Sequence, residues 1–280
     1  MYTEPDNPAV TDRMRAAHQR AAAALGVRPD GGGEAWGWRG RTLSGRVAAH
    51  GEPAWLRVAC GHSGQIDRTF WEGSLHANTA IPTAVPRPRL VEVRDFGDDT
   101  WQYRAELYEY IDAAPVASTP VLVTQAHLPQ RWWAGLRDAL DTVGTVSTDR
   151  YTTEQEYLDW AMPEFLGVRL DTSVPAWATA HGDLHWANIS GPRLLIFDWE
   201  GWGLAPVGYD AAMLHSCTLL VPETAQCVRN ELAHVLDTPA GRFAELVAIT
   251  ELLHGTTRGD NLHLAERLRQ RAAHLLQHRI

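Results

Sequence analysis

One short segment concentrates polar side chains that could act together in catalysis. Residues 178–188 read ATAHGDLHWAN, and the strongly apolar run RLLIF then leads to Asp198. Buried polar groups at this density are costly unless they bind something. Two short strands with a tight turn would bring Asn188 and Asp198 to the same end of a hairpin, with Asp183 close by. Oxygen ligands of this kind suit Mg²⁺, especially beside substrate phosphates, and the remaining carboxylate can accept a proton from a hydroxyl nucleophile.

The order of these residues resembles that of the catalytic and metal loops of protein kinases. In the form HGDLHWAN followed by IFDWEGWG, it looks like the aminoglycoside phosphotransferase family, which has H-G-D-x-x-x-x-N and then D-x-E or D-x-D. The choline-kinase and homoserine-kinase-type relatives of that family share the pattern. The resemblance implies an α+β, bilobal protein-kinase-like fold with a small β-rich N-lobe and a larger, mostly helical C-lobe. It also implies ATP and Mg²⁺ as cofactors.

The resemblance assigns a role to each polar residue of the two loops. Asp183 would be the catalytic base or the carboxylate that orients the acceptor hydroxyl. Asn188 and Asp198 would hold Mg²⁺ that bridges the ATP phosphates, and Glu200 would assist the second metal site or its water. Such a small set suffices because phosphoryl transfer demands mainly positioning and charge neutralisation.

Two further residues would support the catalytic loop. His181 would tie two backbone segments together through its two ring nitrogens. Asp210, which follows a proline in the family-like segment APVGYDAA, would brace the loop by accepting backbone N–H bonds.

The N-terminal half would bind the nucleotide. The segment Leu43-Ser44-Gly45-Arg46 sits where the family has a short turn over the phosphates, so Ser44 and Gly45 are candidate phosphate-binding residues. The strand-like run AWLRV places Arg57 where the family has a lysine, and Glu72 in the following helix would pair with it. The chain contains no lysine, and arginine keeps the charge with a bulkier, planar head. The segment Glu109-Tyr110-Ile111 would be the hinge that reads the adenine edge.

The rest of the sequence predicts the elements that must position these residues. Residues 10–25 predict a helix that is capped by Thr11 and stopped by Gly26, and the glycine-punctuated stretch after it is typical of a hairpin meander. A helix is predicted over Gln65–Thr79, followed by the strands RLVEVRDF and TWQYRAELYEYI. Helical periodicity marks residues 124–146, 154–166, 210–219 and the C-terminal stretch. We therefore predict a nucleotide-binding lobe over 1–111, a catalytic and acceptor-binding lobe over 112–280, and ATP with Mg²⁺ in the cleft between them.

Composition restricts the partners. The formal net charge is -9 without a basic run, which argues against nucleic acid as a partner and suits a cationic acceptor. The sequence lacks the run of roughly 18 apolar residues that a membrane helix needs, and its start lacks signal-peptide features, so we expect a cytoplasmic protein without a membrane partner. The scattered cysteines and 13 histidines fit no tetrahedral zinc pattern.

The tryptophans divide into two groups by position. Trp132, Trp133, Trp160 and Trp177 are expected in the core or in helix packing. Trp199 and Trp202 flank the metal loop and would border the acceptor cleft, where an indole face can bind a cation or a sugar ring.

The identity of the acceptor stays open at this level. Family members phosphorylate aminoglycosides and other antibiotics, small amino alcohols or amino acids, and acidic residues in the C-terminal helices of the aminoglycoside enzymes recognise amines. The candidates here are Glu223, Glu245, Glu251 and Asp260. Two alternatives remain: phosphorylation of Ser or Thr in a peptide with a partner protein, as in natural-product maturation, and a catalytically weak nucleotide-binding scaffold, which the arginine at position 57 suggests. A role in antibiotic resistance is equally open.

Overall fold

A computed structural model describes residues 3–277 of the chain. The chain divides into two compact units. The first unit comprises Met1–Thr79 and Arg87–Asp112, and the second comprises Ala80–Pro86 and Ala113–Ile280. Strands dominate the first unit and helices dominate the second, which confirms the predicted α+β class. Among the described residues, no helix combines the length and apolar character that a membrane crossing requires.

The strands and helices of the first unit follow one another in this order: α1 (Pro8–Ala24), β1 (Arg28–Pro29), β2 (Ala35–Trp36), β3 (Thr42–Ala49), β4 (Glu52–His62), α2 (Arg68–Trp71), α3 (Gly73–Ala80), β5 (Leu90–Gly97) and β6 (Trp101–Glu109). The second unit continues with α4 (Gln130–Gly144), α5 (Gln155–Leu166), β7 (Trp177–Ala180), β8 (Gly203–Pro206), α6 (Tyr209–Ser216), α7 (Pro222–Glu231), α8 (Ala233–Leu236), α9 (Pro239–Thr256) and α10 (Ala265–Gln277). The predicted C-terminal helical stretch continues into residues 278–280, which lie outside the described residues.

The first unit is built on one antiparallel sheet with the strand order β1-β3-β4-β6-β5, and β2 also pairs with β3. The register places Ser44 opposite Arg57 and Arg57 opposite Glu106. Because successive side chains of a strand point to opposite faces, these three residues share one face of the sheet.

The opposite face of the sheet is covered by α1. Apolar residues of this helix recur at helical spacing, and Met14, Ala17 and Ala21 belong to the same buried core as Leu56 and Val58 of β4. Burying that stripe stabilises α1, since most helical stability in proteins comes from packing an apolar face rather than from intrinsic propensity.

The start of α1 corrects the sequence-based prediction. The helix begins at Pro8, because the Asn7 side chain accepts the N–H of Ala9 at 3.0 Å and proline suits the first helical position. Thr11, predicted as the cap, lies inside the helix and donates its hydroxyl to the Pro8 carbonyl.

Three other boundaries differ from the predictions. The segment Leu43–Arg46 was predicted as a turn but lies within β3, and the chain turns instead at His50–Gly51, where both φ angles are positive. The helix predicted over Gln65–Thr79 is two short helices, since it is interrupted at Glu72 before Gly73, a weak helix former. The first helix of the second unit begins at Gln130 because Pro129 disfavours helical backbone in the residue before it.

Candidate active site

Asp210, the second residue of α6, binds the backbone of the candidate catalytic loop, residues 181–188. Its carboxylate is buried and accepts two backbone N–H bonds, from His181 at 2.7 Å and from Gly182 at 3.0 Å. This confirms the predicted bracing role. Burial raises the pKa of Asp210, while the His181 ring and the two N–H donors act against that rise. Breaking these bonds would release the loop at the residues that immediately precede Asp183.

His181 links the catalytic loop to the metal loop, as predicted. Its ring is fully buried, its Nε2 lies 2.7 Å from the carbonyl oxygen of Phe197, and its Nδ1 lies 3.2 Å from the backbone nitrogen of Asp183. A carbonyl can only accept, so Nε2 carries the proton and Nδ1 accepts the Asp183 N–H. Burial lowers the pKa of His181, which favours this neutral tautomer. The ring therefore fixes the backbone of Asp183 relative to the residue before Asp198.

Gly182 permits the close approach of the two loops. It has a φ of 90°, and a Cβ atom there would lie 2.5 Å from the Thr152 hydroxyl oxygen and 2.6 Å from the Gly201 carbonyl oxygen. Position 182 therefore requires glycine for two reasons: its positive φ disfavours other residues, and its neighbours leave no room for a Cβ atom.

Asp183 and Asn188 lie side by side. The Asn188 amide nitrogen donates to the Asp183 carbonyl oxygen at 2.9 Å and lies 3.3 Å from its carboxylate Oδ2. Because a backbone carbonyl can only accept, this contact fixes which end of the amide is nitrogen and directs the Asn188 oxygen away from Asp183. Asn188 is buried whereas the Asp183 side chain is exposed, so the carboxylate can meet a substrate.

His185 is a neighbour of Asp183 to which the sequence analysis assigned no role. It is buried, and its Nε2 lies 3.4 Å from Asp183 Oδ2. Burial disfavours the imidazolium, but the charges of Asp183 and Asp198 outweigh it and the pKa of His185 is raised. The same interaction outweighs desolvation at Asp183 and lowers the pKa of its carboxyl. His185 thus favours the ionised form of Asp183. Its only signal in the sequence was the second histidine of HGDLH.

Asp198 ends the short apolar run in an unusual backbone conformation. It has φ 58° and ψ 65°, in the left-handed region, which non-glycine residues adopt rarely and often at functional sites. The Phe197 N–H donates to the Asn188 carbonyl at 2.8 Å, so Asn188 and Asp198 lie at the same end of a short hairpin. That hairpin has one bridge, between Ile189 and Ile196, rather than two predicted strands.

Arg150 fixes the metal loop and was not identified from the sequence. Its buried guanidinium donates from Nε to the Trp202 carbonyl at 3.0 Å and from Nη2 to the Glu200 carbonyl at 3.1 Å. Trp199 and Trp202 are themselves buried, with Trp199 edge-on to the His181 ring. The expectation that their indole faces border an acceptor is therefore wrong, because these rings pack beneath the loop.

The donors at this site fit a hard divalent cation. Asp198 presents an exposed carboxylate, Asn188 an oriented amide oxygen, and Glu200 a partly buried carboxylate. Within residues 3–277, no group of three or more His, Cys, Asp or Glu side chains is arranged to hold a metal by itself. The oxygen donors of Asn188, Asp198 and Glu200 suit Mg²⁺, which takes one or two carboxylates and completes its shell with water and phosphate oxygens.

The first unit contains the residues that were predicted to bind the nucleotide. Ser44 faces the same side of the sheet as Arg57, whereas Gly45 faces α1, where a Cβ would lie 3.9 Å from the His18 ring. Arg57 Nη1 lies 2.9 Å from Oε2 of Glu106, a partner that the sequence analysis missed. Glu72 ends α2, and its pairing with Arg57 stays a prediction.

The hinge segment follows the last strand of the sheet. Glu109 is the final residue of β6 and its carboxylate accepts the Arg89 N–H at 3.2 Å. Tyr110 and Ile111 follow outside any regular element, and the Tyr110 ring lies under the Arg46 guanidinium, 5.4 Å from it. Binding of adenine by these residues stays a prediction.

The acidic candidates for acceptor binding have very different surroundings. Glu245 is fully buried and is bound by Arg229, Arg271 and His215, so it links helices instead of facing a ligand. Glu251 is partly buried and accepts a hydrogen bond from the Tyr209 hydroxyl. Burial raises the pKa of Glu251 to about 7, and the negative charge of Asp183 adds to the rise. The charges of Glu251 and Asp183 therefore act on each other.

The remaining two candidates are less informative. Glu223 is exposed in the first turn of α7, and Asp260 lies 3.9 Å from the Arg258 guanidinium. Trp160 is 54% exposed and lies outside the core, but its ring packs edge-on against His254 of α9 at 5.4 Å, which confirms its predicted role in helix packing. Trp132 and Trp133 are buried as predicted.

Comparisons with known proteins identify the fold. No family model matches the sequence, and no curated protein sequence matches it. The structure is similar to a thermostable mutant of the aminoglycoside phosphotransferase APH(4)-Ia in a ternary complex with ADP and hygromycin B, with a TM-score of 0.63, 12% identity, and 94% of this chain and 98% of that chain covered.

Two further solved structures have the same fold. The microcompartment-associated aminopropanol kinase has a TM-score of 0.60 and 14% identity, over 93% of this chain and 94% of that chain. Spectinomycin phosphotransferase APH(9)-Ia, in complex with ADP and spectinomycin, has a TM-score of 0.59 and 12% identity, over 94% of this chain and 98% of that chain. The chain therefore has the bilobal kinase-like fold of the aminoglycoside phosphotransferases and their small-molecule kinase relatives, as the HGDLHWAN segment predicted.

Proposed function

We propose that this protein is an ATP- and Mg²⁺-dependent phosphotransferase that moves the γ-phosphoryl group to a hydroxyl of a small molecule. The proposal rests on the way the loop around Asp183 is held. Asp210 and His181 fix its backbone, and His181 also binds the carbonyl of the residue before Asp198. Asp183 thereby lies beside Asn188. A loop that only capped strands and helices would not need a buried carboxylate and a buried imidazole to fix it. The solved structures of the same fold include complexes with ADP and an antibiotic acceptor, in support of a nucleotide and a small-molecule acceptor.

In the proposed reaction Asp183 orients the acceptor hydroxyl and accepts its proton. Its exposed carboxylate suits this role, because an ionised carboxylate is the form that can orient a hydroxyl and accept its proton. Asn188 and Asp198 would hold Mg²⁺, with Glu200 in support. Bound Mg²⁺ supplies charge neutralisation for the phosphates. Arg57 would contact the phosphates from the sheet of the first unit.

The acceptor is proposed to be a hydroxyl compound that also carries a positive charge. Glu251 supports this choice. Its carboxylate is partly buried, and burial together with the negative charge of Asp183 raises its pKa to about 7. A carboxylate that burial destabilises is retained most readily where it binds a ligand. A cationic group beside Glu251 would restore its ionised form.

An acceptor screen tests the proposal. Purified protein with Mg²⁺ and ATP is mixed with amino alcohols, aminoglycosides, spectinomycin-type aminocyclitols and a hydroxyl peptide set, and ADP release is followed with Asp183→Asn as the control. Acceptor-dependent ADP release by the wild type, lost in Asp183→Asn, supports a small-molecule kinase. Turnover confined to the peptides would favour peptide phosphorylation, and nucleotide binding without turnover on any acceptor would favour a scaffold.

A further inference from the structure

Arg57 is held by an acidic residue on a neighbouring strand. Its Nη1 atom lies 2.9 Å from Oε2 of Glu106, and the side chains are 11% and 1% exposed. The two residues are directly opposite each other in the β4–β6 ladder, so the backbone hydrogen bonds of the sheet set their separation. A carboxylate buried to this extent is retained at a high desolvation cost unless it is paired.

A second group fixes Glu106 itself. The Tyr108 hydroxyl donates to the same Oε2 atom at 3.0 Å. Burial and the charge of Glu106 raise the pKa of Tyr108, so the phenol stays protonated and remains a donor. Tyr108 lies two residues after Glu106 on β6, and alternate residues of a strand share a face. The carboxylate is thus held between a guanidinium and a phenol on one face of the sheet.

This arrangement matches the requirements of a phosphate-binding arginine. A guanidinium has five N–H donors in a rigid plane, and the contact of Nη1 with Glu106 orients that plane. Freezing a long side chain in its binding rotamer before the ligand arrives removes an entropic cost from binding. Arg57 and Glu106 both lie on strands of the sheet, so the sheet itself sets the orientation of the Arg57 side chain.

We propose that Glu106, supported by Tyr108, is the positioning residue that orients Arg57 toward the nucleotide phosphates. The proposal rests on the proposed function, in which Arg57 contacts those phosphates. The sequence analysis gave the pairing role to Glu72 on the helix that follows β4. Glu72 has a side chain that is 39% exposed and lies 3.9 Å from His76, and water screens an exposed acid far more than a buried one. Glu106 is buried and within hydrogen-bond distance of Arg57, so Glu106 is the acid to which we assign the orienting role.

The test is calorimetric titration of the full-length protein with MgATP, in the wild type and five variants. In Glu106→Gln we expect binding to weaken roughly tenfold, as for loss of a charged hydrogen bond. In Glu72→Gln the loss is smaller. In an Arg57→Ala background, Glu106→Gln has no further effect, because the residue it orients is gone. Glu92→Gln is the matched control, since Glu92 pairs with Arg94 at 3.0 Å on the exposed part of β5, and it leaves the affinity unchanged.

The double variant separates positioning from a general structural effect. An equal loss of affinity from Glu106→Gln with and without Arg57 would overturn the proposal, and so would wild-type affinity in Glu106→Gln. If Arg57→Ala alone binds MgATP like the wild type, the assignment of Arg57 to the phosphates fails instead. Should Glu106→Gln not fold, Tyr108→Phe takes its place, because it keeps the ion pair and removes only the donor that fixes it. We then expect a two- to threefold loss of affinity that disappears in the Arg57→Ala background, and no loss in Tyr108→Phe would overturn the proposal.

Discussion

Replacing Glu245 by glutamine distinguishes a structural carboxylate from an acceptor-binding one. Glu245 is fully buried in α9, accepts from Arg271 of α10 at 2.6 and 2.8 Å, and lies 3.1 Å from Arg229 of α7. Burial alone would raise its pKa, but His215 and Arg271 reverse this and lower the pKa to about 2 from 4.5. A carboxyl with a depressed folded pKa contributes stability above its unfolded pKa, and this contribution is lost as the pH falls through the folded pKa.

The size of the effect follows from that difference in pKa. About 2.5 units at roughly 1.4 kcal/mol each correspond to about 3 kcal/mol at pH 7, falling to about 2 kcal/mol at pH 3.5. Glu245→Gln should therefore lower the free energy of unfolding by about 3 kcal/mol at pH 7, a cost typical of a broken buried ion pair.

Urea unfolding followed by circular dichroism measures this loss at several pH values. Glu223→Gln serves as a control, because Glu223 is an exposed acid of α7 and its substitution should change the free energy of unfolding by less than about 0.5 kcal/mol. If Glu245→Gln unfolds like the wild type at pH 7, or if its loss of stability is the same at pH 3.5 as at pH 7, the structural role of Glu245 is refuted.

The remaining predictions concern the catalytic loop and its surroundings. Asp210→Asn replaces one acceptor of the two loop N–H bonds with a donor. We expect kcat to fall about 100-fold because Asp183 is misplaced, while the affinity for MgATP stays within threefold. Equal losses of kcat and MgATP affinity would count against a loop-bracing role. Gly182→Ala should lower the melting temperature and abolish turnover, because the methyl group meets the Gly201 carbonyl at 2.6 Å, and a fully active variant would contradict the geometry. Glu251→Gln should raise the melting temperature at pH 8 but not at pH 4.5, because the raised pKa of Glu251 costs stability only at a pH where its carboxyl ionises. The same variant should raise the KM of a cationic acceptor. An unchanged KM would remove Glu251 from the acceptor site.

The candidate site was readable from the sequence because its residues lie close together along the chain. His181, Asp183 and Asn188 occur within eight residues, and Asp198 follows one short apolar run, so typed spacing alone specifies the loop. Asp210 was also found, because the segment APVGYDAA resembles the family's stretch in which a proline precedes a buried aspartate at a helix start. The alternation of strand residues and the helical periodicity likewise gave the class of fold.

The partners that come from distant segments could not be read in this way. Glu106 reaches Arg57 only because β4 pairs with β6 in one register, and a shift of one residue would turn it to the other face. Arg150 reaches the metal loop across about fifty residues of sequence and belongs to no motif. Burial of Trp199 and Trp202, and exposure of Trp160, depend on packing that adjacency in sequence does not reveal.

Calorimetric titration with ATP, in the presence and absence of Mg²⁺, tests most directly whether the two loops form a nucleotide and metal site. The wild type and Asp198→Asn should be compared under identical conditions, with a melting curve of each to establish that both are folded. We expect binding by the wild type that requires Mg²⁺ and is lost in Asp198→Asn. No binding by the wild type, or binding that is indifferent to both Mg²⁺ and Asp198, would contradict the proposed phosphotransferase.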